Sequence, residues 1–174
     1  MLIYDTYDHL LKFDESLLSL GKPIQDDRLE LFEKKFDLKL TEEFKYIFRK
    51  HNGFYLGHEV LGLGKEFGGN SLDKVYALMQ PHFQKFTPNK ILPFSPDGAG
   101  NYYCLNLDNL QRESCSVLFY QHDYDYQNFD DIEVCNTSFT EWVDQVCIGW
   151  TLEEYDYSGT NKSGFFYKLK NIFR

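Results

Sequence analysis

The stretch from Glu113 to Asn161 contains no lysine and no arginine. Over its 49 residues it carries eleven carboxylates and ten aromatic side chains, while the other 16 acidic residues nearly balance the 18 basic ones. The formal net charge of -9 therefore originates in this stretch. Because a concentrated negative field repels nucleic acid and attracts a basic protein surface, we expect a basic protein partner and no direct contact with nucleic acid.

Other common signals are also missing. No run approaches the roughly 18 apolar residues of a membrane span, and the early acidic residues Asp5 and Asp8 are unlike the basic start of a secretory signal. We therefore expect a soluble cytoplasmic protein with reduced thiols, no membrane association and no cofactor. The four cysteines form no Cys-x-x-Cys pair of the kind that zinc and redox sites use. They are Cys104, Cys115, Cys135 and Cys147.

The composition indicates a folded chain. Hydrophobic residues make up 43% of it and aromatic residues 18%, which is too much apolar material for a disordered acidic protein. Only 12 glycines and 5 prolines occur, and no window has the composition of a linker. We expect residues 1–174 to form a single domain, present as a monomer or weak dimer.

Helices are predicted mainly in the first half. Residues 5–20 have the spacing of one or two short helices, closed by Gly21 and Pro23. Three more are predicted, with N-caps at Asp26 or Asp27, at Thr41 and at Ser71. Asn52-Gly53 is predicted to end the third helix and Pro81 to stop or bend the fourth. The predicted buried residues are Leu29, Phe32 and Phe36, then Phe44, Ile47 and Phe48, then Leu72, Val75, Tyr76 and Met79.

Strands and one late helix are predicted in the second half. Short strands with loops are expected between Phe54 and Gly69, and further strands at 91–94, 101–107, 117–120 and 132–134. Ser138-Phe139-Thr140-Glu141 reads as a capping box that opens a helix with an apolar stripe. These elements predict the α+β class, with a central, mostly antiparallel or mixed sheet flanked by helices from both ends of the chain.

Two loops share part of the sequence pattern of phosphate-binding and calcium-binding loops. Residues 97–101 are rich in glycine, but residues 102–105 continue as a strand where a phosphate loop needs a helix, so we predict a hairpin turn. A calcium loop starting at Asp123 would need glycine at its sixth position and glutamate at its twelfth, where Asn128 and Val134 stand. Adventitious divalent binding to the clustered carboxylates stays an alternative, but we expect no metal ligand.

No catalytic residue is predicted. The chain has no Gly-x-Ser-x-Gly elbow, and its five histidines have no sequence context that marks a nucleophile or base. Carboxylates are too numerous for sequence alone to select an acid and base pair. We expect a protein that is not an enzyme, with a hydrolase whose site is assembled only in three dimensions as the alternative.

Four short segments follow one another in a characteristic order within residues 26–147. They are Glu43-Phe44-Lys45-Tyr46-Ile47-Phe48 with His51-Asn52-Gly53, then Leu61-Gly62, then Leu92-Pro93-Phe94 through Asp97-Gly98-Ala99-Gly100-Asn101-Tyr102-Tyr103 to Leu105-Asn106-Leu107, and last Ser138-Phe139-Thr140-Glu141-Trp142. In these segments the chain resembles the SUKH superfamily, which includes the yeast cell-wall-assembly regulator domain and many bacterial immunity proteins.

The resemblance implies an α+β domain without catalytic activity that binds and neutralises a toxin domain, commonly a nuclease, of a polymorphic toxin system. It equally leaves open a regulatory scaffold that binds an endogenous protein. Thr41 stands where the family usually has proline, a change that suits helix capping. The extension at 148–174 lies outside the family pattern, so nothing is carried over to it.

The predicted partner-binding residues combine carboxylates with tyrosines, which offer contact area and a hydrogen bond at low entropy cost. For Trp150 the sequence favours neither a position in the core nor one in an interface. The basic tail 162–174 is expected to dock on the acidic region, with a membrane-surface helix as the alternative. The predicted residues are Asp123, Tyr124, Asp125, Tyr126, Asp130 and Asp131 in one part, which we call the acidic loop, and Glu153, Glu154, Asp156 and Tyr157 in the other, the C-terminal acidic segment.

Overall fold

A computed structural model describes residues 2–64, 70–108 and 114–163. The helices are α1 (Ile3–Leu10), α2 (Asp26–Phe36), α3 (Glu42–Lys50), α4 (Leu72–Phe83), α5 (Phe139–Trp142) and α6 (Trp150–Glu154), with a π-helix at Val143–Gly149 and 3-10 turns at Gln84–Phe86 and Phe129–Asp131. The strands are β1 (Ser19–Leu20), β2 (Phe54–Leu56), β3 (His58–Val60), β4 (Ile91–Pro96), β5 (Tyr102–Asn106), β6 (Val117–Tyr120) and β7 (Glu133–Asn136).

The strands form two antiparallel sheets. The first has the order β1-β2-β3 and the second the order β4-β5-β6-β7. Directly after β3, the backbone N–H of Leu61 donates to the carbonyl of Phe94 in β4 at 2.9 Å, which joins the two sheets. The predicted α+β class is confirmed, and the predicted mostly antiparallel or mixed sheet is present as two antiparallel sheets.

The first predicted helical region is helical only in its first half. Helix α1 ends at Leu10, and the carboxylate of Asp14 then accepts a hydrogen bond from the backbone N–H of Ser16 at 2.9 Å. Such a local side-chain bond favours a turn over a continuing helix. The chain then enters β1, where Leu20 pairs with Phe54 of β2, so the leucines before Gly21 belong partly to a strand.

The starts of the next helices follow local chemistry. In α2 the N-cap is Gln25, so the prediction of Asp26 or Asp27 as the cap is wrong. Both residues occupy the first turn, where their carboxylates interact favourably with the positive end of the helix dipole. In α3 the hydroxyl of Thr41 accepts from the backbone N–H of Phe44 at 3.3 Å, so the predicted cap is confirmed. The buried residues predicted for α3 and α4 are all buried.

Two helix ends differ from prediction. Helix α3 ends at Lys50, and Asn52 is buried with its amide bonded to both backbone groups of Leu63, at 2.6 and 2.8 Å, because those groups need partners away from water. Gly53 does adopt a positive φ of 80°, at the turn into β2. Helix α4 continues through Pro81 to Phe83, since a proline near a helix end removes only one late hydrogen bond.

The core lies where the two sheets meet α3 and α5. Ring contacts run from Phe44 to Phe139 at 5.1 Å and from Phe94 to Trp142 at 4.8 Å, and all four side chains are fully buried. The Oγ of Ser138 accepts from the backbone N–H of Glu141 at 3.0 Å, so the predicted cap of α5 forms. The Glu141 carboxylate accepts from the backbone N–H of Thr137 at 2.6 Å, in place of the Ser138 N–H that a full capping box uses. Trp142 at the end of α5 lies in the core, and the π-helix Val143–Gly149 follows it directly.

Candidate partner-binding surface

The acidic loop is exposed except for one of its tyrosines. Asp123, Asp125 and Asp130 are exposed, and Tyr124 keeps 56% of its surface exposed. Tyr126, by contrast, retains only 4% of its surface and belongs to the core. Tyr126, one of the predicted partner-binding residues, therefore has little surface to offer a partner.

The contacts of Tyr126 explain its position. Its ring stacks on that of Tyr120 at 5.2 Å, and its hydroxyl accepts from the backbone N–H of Gln121 at 2.8 Å. Its carbonyl accepts from the ammonium of Lys85 at 3.1 Å. Burial raises the pKa of the phenol. Tyr126 therefore fixes the acidic loop to β6 and to the segment after α4.

Asp131 is exposed but also shapes this loop. Its carboxylate accepts from the backbone N–H groups of Gln127 and Asn128 at 2.9 and 2.8 Å. Asp125 accepts from the side-chain amide of Gln127 at 3.2 Å. A partner would meet Asp123, Asp125 and Asp130 as the more available carboxylates, with Asp131 holding the turn.

The C-terminal acidic segment is organised in a similar way. Glu153 and Glu154 are exposed at the end of α6, whereas the carboxylate of Asp156 accepts from the backbone N–H groups of Ser158 and Thr160 at 3.0 and 2.9 Å. Asp156 therefore shapes a turn, and Lys162 returns to this region by donating its backbone N–H to the carbonyl of Glu154 at 2.7 Å. The rest of the basic tail, 164–174, lies outside the described residues.

Tyr157 joins this segment to α1. Its hydroxyl lies 2.6 Å from the Nε2 of His9, and its ring packs against that of Phe13 at 4.9 Å. The acidic loop packs instead against Lys85 and Phe86. The two predicted parts of the surface are thus supported by different elements of the fold.

A cleft beside α6 was not predicted. It has a volume of about 450 Å³ and lies between the turn of β2 and β3, the segment before β1, and α6. Its two most exposed aromatic side chains are Trp150, at 50%, and Tyr55, at 47%. Its wall includes Leu17, Tyr55, His58, Trp150, Glu154 and Tyr155, and we call it the Trp150 cleft.

The π-helix is responsible for the position of Trp150. Because π-helical hydrogen bonds close one residue later than α-helical ones, the segment Val143–Gly149 turns the following side chains about the helix axis. Val146 and Cys147 stay buried, while Trp150 projects half-exposed. Single π segments inside α-helices are frequent at functional sites.

His58 lies between this cleft and the core. Its imidazole lies 5.4 Å from Trp150, 5.7 Å from Tyr103 and 6.3 Å from Trp142, between ring centroids. Burial lowers the pKa of His58 below its ordinary value of 6.5, although the nearby Asp97 carboxylate opposes this effect. The imidazole is therefore neutral at neutral pH and adds no positive charge to the cleft.

A second, smaller cleft lies on the other side of Trp150. It has a volume of about 290 Å³, and its wall includes Tyr103, Phe119 and Glu133 of the second sheet. Each of the two clefts beside the indole therefore has a carboxylate, Glu154 in one and Glu133 in the other. Among the described residues, no lysine or arginine lies in either wall.

The thiols are held in an unreactive state. Burial raises the pKa of Cys104 and Cys147 well above the ordinary range, that of Cys115 to about 12 and that of Cys135 to about 11. A thiol is a poor nucleophile and metal ligand until it loses its proton. Within 2–64, 70–108 and 114–163, no three His, Cys, Asp or Glu side chains are grouped so as to hold a metal ion.

Among the helices of the described ranges, none combines the length and the apolar character that crossing a membrane requires.

Part of the Trp150 cleft has a signal in the sequence. Phe54 and Leu56 are buried, and Tyr55 between them points to the other face, as alternation along a strand requires. An exposed aromatic residue in a short strand could therefore have been inferred. The exposure of Trp150 depends on the π-helix, for which the sequence has no comparable signal.

A family model matches most of the chain. The model of the SMI1/KNR4 family (SUKH-1) matches residues 23–145. Tyr55 and His58 lie inside the matched range, whereas Trp150 and Glu154 follow it. No curated protein matches the chain.

Proposed function

Since this chain belongs to the SMI1/KNR4 family (SUKH-1), we propose that it is an immunity-type binding protein that neutralises a basic protein toxin without catalysing a reaction. The toxin would belong to a polymorphic toxin system and act on nucleic acid, and the complex would form in the cytoplasm. This proposal joins the family membership to the chemistry of the exposed surface.

The observation that carries the proposal is the half-exposed Trp150 beside carboxylates. Trp150 and Tyr55 keep 50% and 47% of their surfaces exposed, and Glu154 lies in the same wall. Tryptophan, tyrosine and arginine dominate the energetics of protein interfaces, where a few buried anchors provide most of the affinity. A half-exposed indole that already rests on a half-buried histidine offers such an anchor at low conformational cost.

The charge distribution supports a basic partner. Glu154 and Glu133 of the Glu113–Asn161 stretch lie in the walls of the two clefts beside Trp150, and the acidic loop adds exposed carboxylates elsewhere on the surface. A toxin that acts on nucleic acid needs a basic groove for phosphates. Complementary charge speeds the encounter of such partners, and occupation of the groove would block the substrate.

Co-expression tests the proposal. The chain is produced together with each toxin domain encoded beside its gene, and growth is compared with that of cells carrying the toxin alone. We expect protection against one toxin and recovery of a stable complex with it. Absence of both protection and complex would overturn the proposal, and a complex with an endogenous protein alone would favour the regulatory scaffold.

A hydrolase is the competing class, and it is tested separately. Purified protein is assayed with ester, phosphodiester and glycoside substrates. We expect no turnover above that of a heat-denatured sample. Turnover that disappears on replacing a single histidine or carboxylate would contradict the proposed function.

A further inference from the structure

The Trp150 cleft is large enough to admit a long side chain of a partner. Its volume of about 450 Å³ lies near the lower end of the range for ligand pockets, about 300–1,000 Å³. It opens on the surface between two exposed aromatic side chains, Tyr55 and Trp150. An occupant would therefore reach it from outside as a projecting group, without opening the core.

The charges around the cleft have one sign. Glu154 is exposed in the wall, and the neighbouring His58 is held neutral by burial. The closest described cation to α6, the ammonium of Lys162, is bonded to the carbonyl of Leu152 at the end of the helix. That bond stabilises the negative end of the helix dipole, and Glu154 remains exposed to attract a cation.

The carboxylate of Glu154 in the wall can only accept hydrogen bonds. The wall also contains groups that donate, among them the indole N–H of Trp150 and the hydroxyls of Tyr55 and Tyr155. The hydroxyl of Thr151 is buried against the turn at Gly57 and has no hydrogen-bond partner among the described residues. The charge of Glu154 therefore favours a cationic donor over an anion as the occupant.

We propose that the Trp150 cleft binds an arginine side chain of the protein partner, stacked on the Trp150 indole and paired with the Glu154 carboxylate. This inference rests on the proposed function and identifies the group of the partner that is recognised. A planar guanidinium is weakly hydrated, stacks on aromatic faces and pairs with carboxylates through two parallel N–H donors. A lysine ammonium has the charge but lacks the planar fork.

The test uses N-acetyl-arginine amide as the probe and the fluorescence of the full chain as the readout. The chain has two tryptophans, and Trp142 is fully buried, so a change on binding reports on Trp150. We expect saturable binding with a Kd of about 1–10 mM, the range for a ligand of this size. The matching lysine amide should bind about 2–5-fold more weakly, and the neutral citrulline amide should not saturate in this range.

Two exposed glutamates provide matched variants. Glu154→Gln removes the carboxylate in the cleft wall, whereas Glu30→Gln makes the same change in α2, outside that wall and outside the predicted partner-binding residues. We expect Glu154→Gln to weaken arginine binding about 2–5-fold and Glu30→Gln to leave it unchanged. Trp150→Phe should remove the fluorescence change. A titration of the same variant, followed by the NMR shifts of its backbone amides, should show that it binds the arginine amide more weakly than the unmodified chain.

The outcomes separate this inference from the proposed function. Equal binding of the citrulline amide, equal effects of the two glutamate variants, or no saturation by the arginine amide would overturn the arginine site. Because the probe contains no toxin, these results do not depend on the toxin screen. A protective complex that is insensitive to Glu154→Gln would likewise reject the cleft while leaving the immunity function intact.

Discussion

The imidazole of His58 packs edge-on against the indole of Trp150, with 5.4 Å between ring centroids. The same imidazole lies 6.3 Å from the fully buried indole of Trp142. One histidine in β3 thus joins an exposed tryptophan to the core. The rigid support of an exposed ring is what an interface anchor needs, because less freedom is lost when a partner binds.

The two tryptophans should differ in their contributions to stability. We expect Trp142→Ala to lower the free energy of unfolding by about 3–5 kcal/mol, because it leaves a large cavity among Phe94 and Phe139. Trp150→Ala should cost less than about 1.5 kcal/mol, since half of its side chain is already exposed. Urea unfolding of both variants measures the difference, and equal losses would contradict the assignment of Trp150 to the surface.

Stability should fall as the pH falls through the range in which His58 titrates in the unfolded chain. Burial lowers the pKa of His58 from 6.5 in the folded state, so below that value the unfolded state binds the proton more readily. Well above pH 6.5 His58 is neutral in both states, so it costs no stability. On acidification the folded state loses stability until the pH has passed the lower pKa that His58 has in the folded state. Urea midpoints at about pH 7.5 and about pH 5.5 measure this loss.

The control for this pH effect is a pair of histidine variants. His58→Phe keeps an aromatic ring against Trp150 but cannot titrate, so its midpoint should change less between the two pH values. His82→Gln removes an exposed histidine near the end of α4 and should retain the dependence of the unmodified chain. The prediction fails when His58→Phe and the unmodified chain lose the same stability.

A buried ion pair beside the core should be sensitive to a neutral substitution. The carboxylate of Glu33 accepts from the ammonium of Lys45 at 2.9 Å and from the backbone N–H of Leu40 at 2.8 Å. We expect Glu33→Gln to lower the free energy of unfolding by about 1–3 kcal/mol, because the Lys45 charge loses its closest partner. Glu30→Gln, an exposed change in the same helix, should alter it by less than about 0.5 kcal/mol.

The acidic loop should control the rate of association with the toxin. We expect neutralisation of Asp123, Asp125 and Asp130 to slow association several-fold and to flatten its dependence on salt, while dissociation changes little. Asp131 is retained because its carboxylate holds the turn. Stopped-flow mixing at low and high salt measures these rates.

The control for the loop experiment makes the same change in net charge elsewhere. Asp5, Glu15 and Glu30 are exposed residues of the N-terminal part and can be replaced by their amides together. Their neutralisation should slow association less than that of the loop. Equal slowing by both triple variants would mean that net charge, not the position of the loop, steers the partner.

Helix starts were predictable because a few adjacent residues decide them. Thr41 and Ser138 accept the backbone N–H three residues later, and both bonds form as expected. The buried stripe on α3 follows in the same way from spacing alone.

The positions of Tyr126 and Asn52 were not predicted because they depend on contacts outside the local sequence pattern. Tyr126 is polar and lies in an acidic loop, yet it is buried because the loop folds back onto Tyr120 of β6 and meets Lys85 from a distant part of the chain. Asn52 has the residue type of a helix cap, but its amide is used by Leu63, eleven residues later. A local pattern contains no information about such partners.

The affinity of the purified toxin complex, measured for Trp150→Ala, tests the central claim most directly. The unmodified chain should bind with a Kd in the nanomolar range, and Trp150→Ala should raise that Kd by at least about 30-fold, as the loss of an interface anchor does. Leu78→Ala, which removes an exposed apolar side chain of α4 outside the Trp150 cleft, serves as the control and should leave the Kd unchanged. An unchanged Kd for Trp150→Ala would contradict the account.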